Sequence, residues 1–157
     1  MIPTREQVFA ALWARVSAAT IGGNPAFVTK DRTVLPWDAV PSELYPCLFM
    51  AKGSEQIARV RGLPPKITMN ALLYIYAITN AQSDDSAASP SEILNPLLDA
   101  IDAALAPDSN ETNTCTLGGI VSHAWISGEI MTTEGALGNI EAALVPIEVL
   151  VPTLVNQ

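Results

Sequence analysis

The chain has 157 residues carrying 16 acidic and 8 basic side chains, a net charge of −8, which suits one domain able to bury a core without staples and excludes a nucleic-acid clamp as its main business. Hydrophobic residues make up 49% and charged residues only 15%, rich enough for a small chain that apolar surface hidden by partners, and hence an oligomer, is expected. The longest apolar run, Ala71 to Ile78, falls short of the roughly 18 residues of a spanning helix, so a soluble protein with no membrane partner is expected.

Charge is divided along the sequence. Up to Lys66 eight basic residues face five acids, a balance of +3; the 91 residues that follow hold eleven acids and no Lys or Arg. A fold that keeps these populations apart can present one basic and one acidic surface, favouring head-to-tail contact between copies or an acid-lined passage. The alternative is that the acids merely solvate the second half.

In chain order, Thr4 with Gln7 forms a capping-box pattern, and Val8, Phe9, Leu12, Trp13 and Val16 recur at helical spacing, predicting a first helix over about 4–20. Gly22-Gly23-Asn24-Pro25 ends it, Ala26 to Thr29 can extend, and Lys30-Asp31-Arg32 reads as a turn. Pro36 and Pro41 make Val34 to Glu43 an extended connector anchored by Trp37. Tyr45 to Ala51 reads as a strand, Lys52 to Gln56 as a turn, and Ile57 to Arg61, alternating apolar and basic, as a short returning strand. Lys66 to Ile78 is the strongest strand: Ile67, Met69, Leu73 and Ile75 share one face, Leu72, Tyr74, Tyr76 and Ile78 the other, which makes it central.

The polar tract 80–89 reads as a loop; Ser89-Pro90-Ser91-Glu92 suits a helix start, but Asn95 is favoured as the main cap of the second helix, since Pro96 cannot continue an established helical ladder. The stripe of Ile93, Leu94, Leu97, Leu98, Ile101 and Leu105 packs on the sheet, leaving Asp99 and Asp102 outward. Gly118 to Ile130 reads as one long strand, with Ile140 to Val151 returning antiparallel after a turn at 134–139, and Pro146 and Pro152 mark edge positions. The expected fold is α+β: a mixed, mainly antiparallel sheet packed by two helices, with a C-terminal β-hairpin, in a single domain over 1–157.

Chemistry is sparse. His123 is the single histidine and alternates with Val121 and Trp125 on one strand face, where a packing role outweighs a catalytic one. A Cys115–His123 dyad has no supporting motif, and Cys47 and Cys115 read as free thiols in a chain without a secretory start. No His or Cys pair has metal-ligand spacing, and Gly118-Gly119 lacks the Lys-Ser/Thr of a phosphate loop. No catalytic residue, cofactor or metal is expected. Arg59, Arg61, Lys66 and Glu129 are expected at a subunit interface, and Asp84, Asp85, Asp108, Glu111 and Glu134 on loops facing a channel or a neighbouring structure.

The amphipathic opening helix, the Leu94 to Asp102 helix, the Thr116 to Ile130 segment and the closing Val145-Pro146-Ile147-Glu148-Val149-Leu150-Val151-Pro152 together resemble the tail terminator (minor tail) proteins of long-tailed bacteriophages, over nearly the full length. The resemblance implies a protomer of a ring, typically a hexamer, on the head-proximal end of the tail tube. Such a ring halts tube growth, docks the head connector and lets DNA pass without specific binding. The implied partners are the chain itself, the tail tube protein and the head connector or neck protein, and the implied place is the head–tail junction of a virion assembled in the bacterial cytoplasm. No catalytic residues carry over. A head-side neck adaptor and a small Cys/His enzyme are the alternatives.

Overall fold

The computed structural model describes residues 2–79, 89–133 and 137–152. Helix α1 (Arg5–Ser17) starts where the capping box predicts: the Gln7 N–H donates to the Thr4 hydroxyl at 3.1 Å, and the Thr4 N–H donates to the Gln7 side-chain oxygen at 2.8 Å. Its buried stripe is Val8, Phe9, Leu12 and Val16. The helix stops short of residue 20 because Thr20–Ile21 (β1) pairs with Asn24–Pro25 (β2) around Gly22 and Gly23, whose φ of +57° and +83° provide the two left-handed positions of a tight hairpin.

Lys30-Asp31-Arg32 is not the expected turn. Thr29–Asp31 forms β3, which pairs in parallel with the start of β4 (Cys47–Ala58). The expected turn at Lys52 to Gln56 is also absent, since β4 runs straight through it with a register shift between Lys52 and Glu55. Gly53 explains the difference: a Cβ there would lie 3.0 Å from the Asn70 carbonyl oxygen, so glycine permits close approach of two strands rather than a reversal. Asn70 Nδ2 then donates to the Ser54 carbonyl and hydroxyl, both at 3.1 Å, stapling the irregularity. The reversal comes later, over 59–65, and leads into β5 (Lys66–Ile78).

The two-faced pattern of β5 does make it central. β4 lies on one side and β8 (Ile140–Val151) on the other, both antiparallel, and with β6 (His123–Ile126) beyond β8 the order is β3-β4-β5-β8-β6. Odd-numbered residues Met69, Leu73 and Ile75 join the core formed with α1 and α2 (Pro90–Ala104), while Tyr76 and its neighbours join a second cluster with Phe49, Tyr45 and Val40. The connector over 34–45 covers that second face: Trp37 packs against it, the Tyr45 hydroxyl donates to the Trp37 carbonyl, and the Tyr76 hydroxyl donates to the Leu35 carbonyl at 2.9 Å.

Helix α2 is capped by Ser89 rather than Asn95. Pro90 occupies its first turn, where no donor is needed, and the Ser89 N–H donates to the Glu92 carboxylate at 2.6 Å. Pro96 sits inside the helix. Burial of Leu94, Leu97, Ala100 and Ile101 against the sheet outweighs the one ladder bond it removes.

The expected long strand over 118–130 shrinks to β6 (His123–Ile126), which pairs antiparallel with β8; β7 (Met131–Thr132) forms the C-terminal hairpin partner of β8. Pro146 is not at an edge but in the middle of β8, opposite Leu72. It is tolerated because β6 and β7 leave a gap beside it. The Pro146 carbonyl accepts the Ser127 N–H at 3.0 Å, so the missing donor faces the interruption rather than a ladder. The architecture is α+β, a mixed and mainly antiparallel sheet with α1 and α2 packed on one face.

Candidate functional site

Between α2 and β6 the chain is organised by Asp108. Its carboxylate accepts from the Thr116 N–H at 2.6 Å, the Thr116 hydroxyl at 2.8 Å and the Gly118 N–H at 3.1 Å, and pairs with Arg15 of α1 at 2.7 Å. The loop can aim these donors because Leu117, Gly118 and Gly119 all take positive φ, of 51°, 76° and 90°. A leucine there is strained, and burial of its side chain offsets the strain. Partial desolvation pushes the Asp108 carboxyl upward, but its backbone and hydroxyl donors and the Arg15 guanidinium prevail and hold it far below the usual carboxylate range. Asp108, expected on a channel or contact loop, is therefore a structural node that ties the loop to α1. Gly118-Gly119 serve this turn and not a close backbone approach, for nothing lies within 4 Å of a Cβ built on either.

His123 and Cys115 are brought together through the backbone of Cys115. The Cys115 backbone N–H donates to His123 Nδ1 at 3.3 Å, and the imidazole stacks on Trp125 with ring centroids 4.6 Å apart. Cys115 and Cys47 are free and buried. Burial pushes the Cys47 thiol up to about 11, away from the thiolate a nucleophile needs. Among the described residues no group of three or more His, Cys, Asp or Glu side chains gathers at metal-binding distance.

The remaining charges divide sharply by position. Arg5 and Lys52 share Glu55, and Arg32 pairs with Glu6, so much of the basic half neutralises itself. Arg15 with Asp108 is the one ion pair among the described residues that joins the two halves of the chain. Arg59 and Arg61 are exposed on the β4–β5 tip, with Lys66 at its base, and none of the three has an ion-pair partner among the described residues. Glu129 is exposed between β6 and β7, on the β6 side of the sheet, and Glu111 is exposed in the turn after Ser109. Asp84, Asp85 and Glu134 lie outside the described residues.

Two features escaped the sequence reading. The basic tip is also apolar, with Ile57, Val60 and Leu63 each at least half exposed. On the β6 side of the sheet an open groove of about 480 Å³ runs between α2 and the end of β6 with the segment after it, lined by Asn95, Leu98, Asp99, Asp102, Ile126 and Ile130. The outward placement of Asp99 and Asp102 is legible from helical spacing. Their pairing with Ile126 and Ile130 is not, because it depends on how α2 crosses the sheet.

No protein-family model and no curated protein matches this sequence. The fold, by contrast, is shared. Chains of solved structures match it, among them one of the virion of native gene transfer agent (GTA) particle, which superposes with a TM-score of 0.52 at 12% identity, over 90% of this chain and 92% of that one.

Proposed function

We propose that the chain is a structural virion protein of the phage-like kind, a tail terminator that closes into a ring on the head-proximal end of the tail tube, stops tube polymerisation and offers the docking surface for the head connector. One observation carries the reading: an α+β fold shared, over nearly the whole of both chains, with a chain of a gene transfer agent virion. The site geometry is consistent with a role performed through surfaces, since the sole described histidine is spent on a backbone N–H and an aromatic stack. In this reading residues 1–157 act as a single tail-terminator-like domain whose partners are further copies of itself, ordinarily six, together with the tube protein and the connector. DNA then passes an opening whose acidic loops repel phosphates and limit sticking.

Labelled electron microscopy of intact particles tests the placement. Label at the junction, on the tail side, together with overlong tubes when the protein is withheld, is the expected result. Label on the head side with tubes of normal length would assign it to a neck adaptor. Loss of function on replacing both Cys115 and His123 by Ala, with assembly intact, would instead identify an enzyme.

A further inference from the structure

Three exposed apolar side chains at the tip of one hairpin are costly to leave in water, and in this chain they are Ile57 at the end of β4 and Val60 and Leu63 in the reversal that follows, at 50%, 61% and 64% exposure. Arg59 and Arg61 alternate with them, and both are exposed without ion-pair partners among the described residues. The surface suited to receive such a tip needs an apolar floor and an acidic rim. The groove beside α2 has both: Leu98, Ile126 and Ile130 form apolar lining, Asp99 and Asp102 supply charge, and Glu129 adjoins it in sequence. Its acids cannot be neutralised from their own half of the chain, which has no Lys or Arg.

We propose that the β4–β5 tip of one copy seats in the α2–β6 groove of the next, Arg59 and Arg61 meeting Asp99 and Asp102 while Val60 and Leu63 cover Leu98, Ile126 and Ile130. The inference rests on the ring reading above and adds to it the two surfaces that join. They are different patches: the tip links β4 and β5, and the groove follows the β6 edge across the sheet order β3-β4-β5-β8-β6. Contact between different patches is heterologous, which yields a ring when the rotation closes. A second copy is the occupant favoured by charge, because the two surfaces carry opposite signs.

The test is the mass of the full chain in solution, by light scattering after size exclusion over a range of concentration. Wild type assembles. Arg59→Glu with Arg61→Glu raises the concentration for half-assembly about a hundredfold or more, Asp99→Arg with Asp102→Arg does the same, and the four substitutions together restore assembly, because like charges become opposite again. Melting temperatures of the double variants should match wild type, as the altered side chains are exposed. A Leu63→Cys, Asp99→Cys chain provides a second readout: the native thiols are buried, so mild oxidation links the new cysteines between copies into a ladder on a denaturing gel. An Arg59→Glu, Arg61→Glu chain that assembles like wild type, or a cysteine chain that gives no ladder, overturns the contact while leaving the ring standing. A charge-reversed chain that still assembles but no longer binds tail tubes also overturns it, and gives the tip to the tube protein. Wild type monomeric at every concentration and salt, and in the presence of tubes, overturns contact and ring together.

Discussion

Asp108 shows how one side chain can hold two distant parts of the chain. Its oxygens take two backbone N–H groups, one hydroxyl and the Arg15 guanidinium, 93 residues away. Replacing it by Asn keeps the shape but removes the charge and places an NH₂ among donors. With the side chain 21% exposed, screening reduces the loss, and about 2 kcal/mol is expected at neutral pH. The sign of the pH dependence follows from the direction of the shift. Because the folded carboxyl ionises at lower pH than the unfolded one, its contribution is complete above the unfolded pKa of about 3.9 and is lost as pH falls below that toward the folded value. Urea unfolding of wild type and Asp108→Asn at pH 7 and at pH 3 should therefore show a gap that narrows in acid; an equal gap at both would mean that the charge contributes nothing. From sequence Asp108 was legible as an acid on a loop. Its role was not, because its partners are set by a left-handed Leu117 and by where α1 lies.

The thiols make a second prediction at this scale. Cys47 and Cys115 are both fully buried, and burial pushes the Cys47 thiol up to about 11. A thiol reagent at pH 8 should modify neither in the folded chain and both in denaturant. Rapid modification of Cys115 in the native protein would reopen the dyad with His123.

At the scale of elements, the legible parts are those whose local pattern agrees with the fold. The α1 capping box and the two-faced alternation of β5 are of this kind, since each is decided by neighbours in sequence and by the face that is buried. The misread parts are those decided by a neighbouring strand. Lys52-Gly53-Ser54-Glu55-Gln56 has the composition of a turn, yet its glycine is needed because β5 comes so close that the Asn70 oxygen would sit 3.0 Å from a Cβ. Pro146 signals an edge, but the gap between β6 and β7 makes an interior position harmless. Gly53→Ala tests the first of these explanations. The nearest atoms belong to the Asn70 backbone and Cβ and cannot swing aside, so a loss of about 1–3 kcal/mol is expected, seen as a lower melting temperature. A neutral or stabilised variant would show that the sheet relaxes there without cost.

For the whole molecule the charge break at Lys66 has a physical consequence that neither half shows alone. Each copy carries −8, so copies repel at long range, whereas the tip and the groove attract at short range. Salt weakens these two effects at different concentrations. At 0.01 M the Debye length is about 30 Å and copies repel before they meet; near 0.1 M it is about 10 Å, and only at about 1 M does it reach 3 Å, the range of a contact pair. Assembly of the wild-type chain should therefore rise from low salt to a maximum at intermediate salt, then fall as the pairing of Arg59 and Arg61 with Asp99 and Asp102 is screened. The fall should be partial, because contact of Val60 and Leu63 with Ile126 and Ile130 does not depend on charge. In the Arg59→Glu, Arg61→Glu chain every charge contribution across the contact is repulsive and only the apolar contact attracts, so assembly should only increase with salt and show no maximum. Sedimentation velocity across a sodium chloride series reads both curves. A wild-type curve that climbs without turning would mean that the acids of the second half only solvate the surface and that copies join through apolar contacts alone.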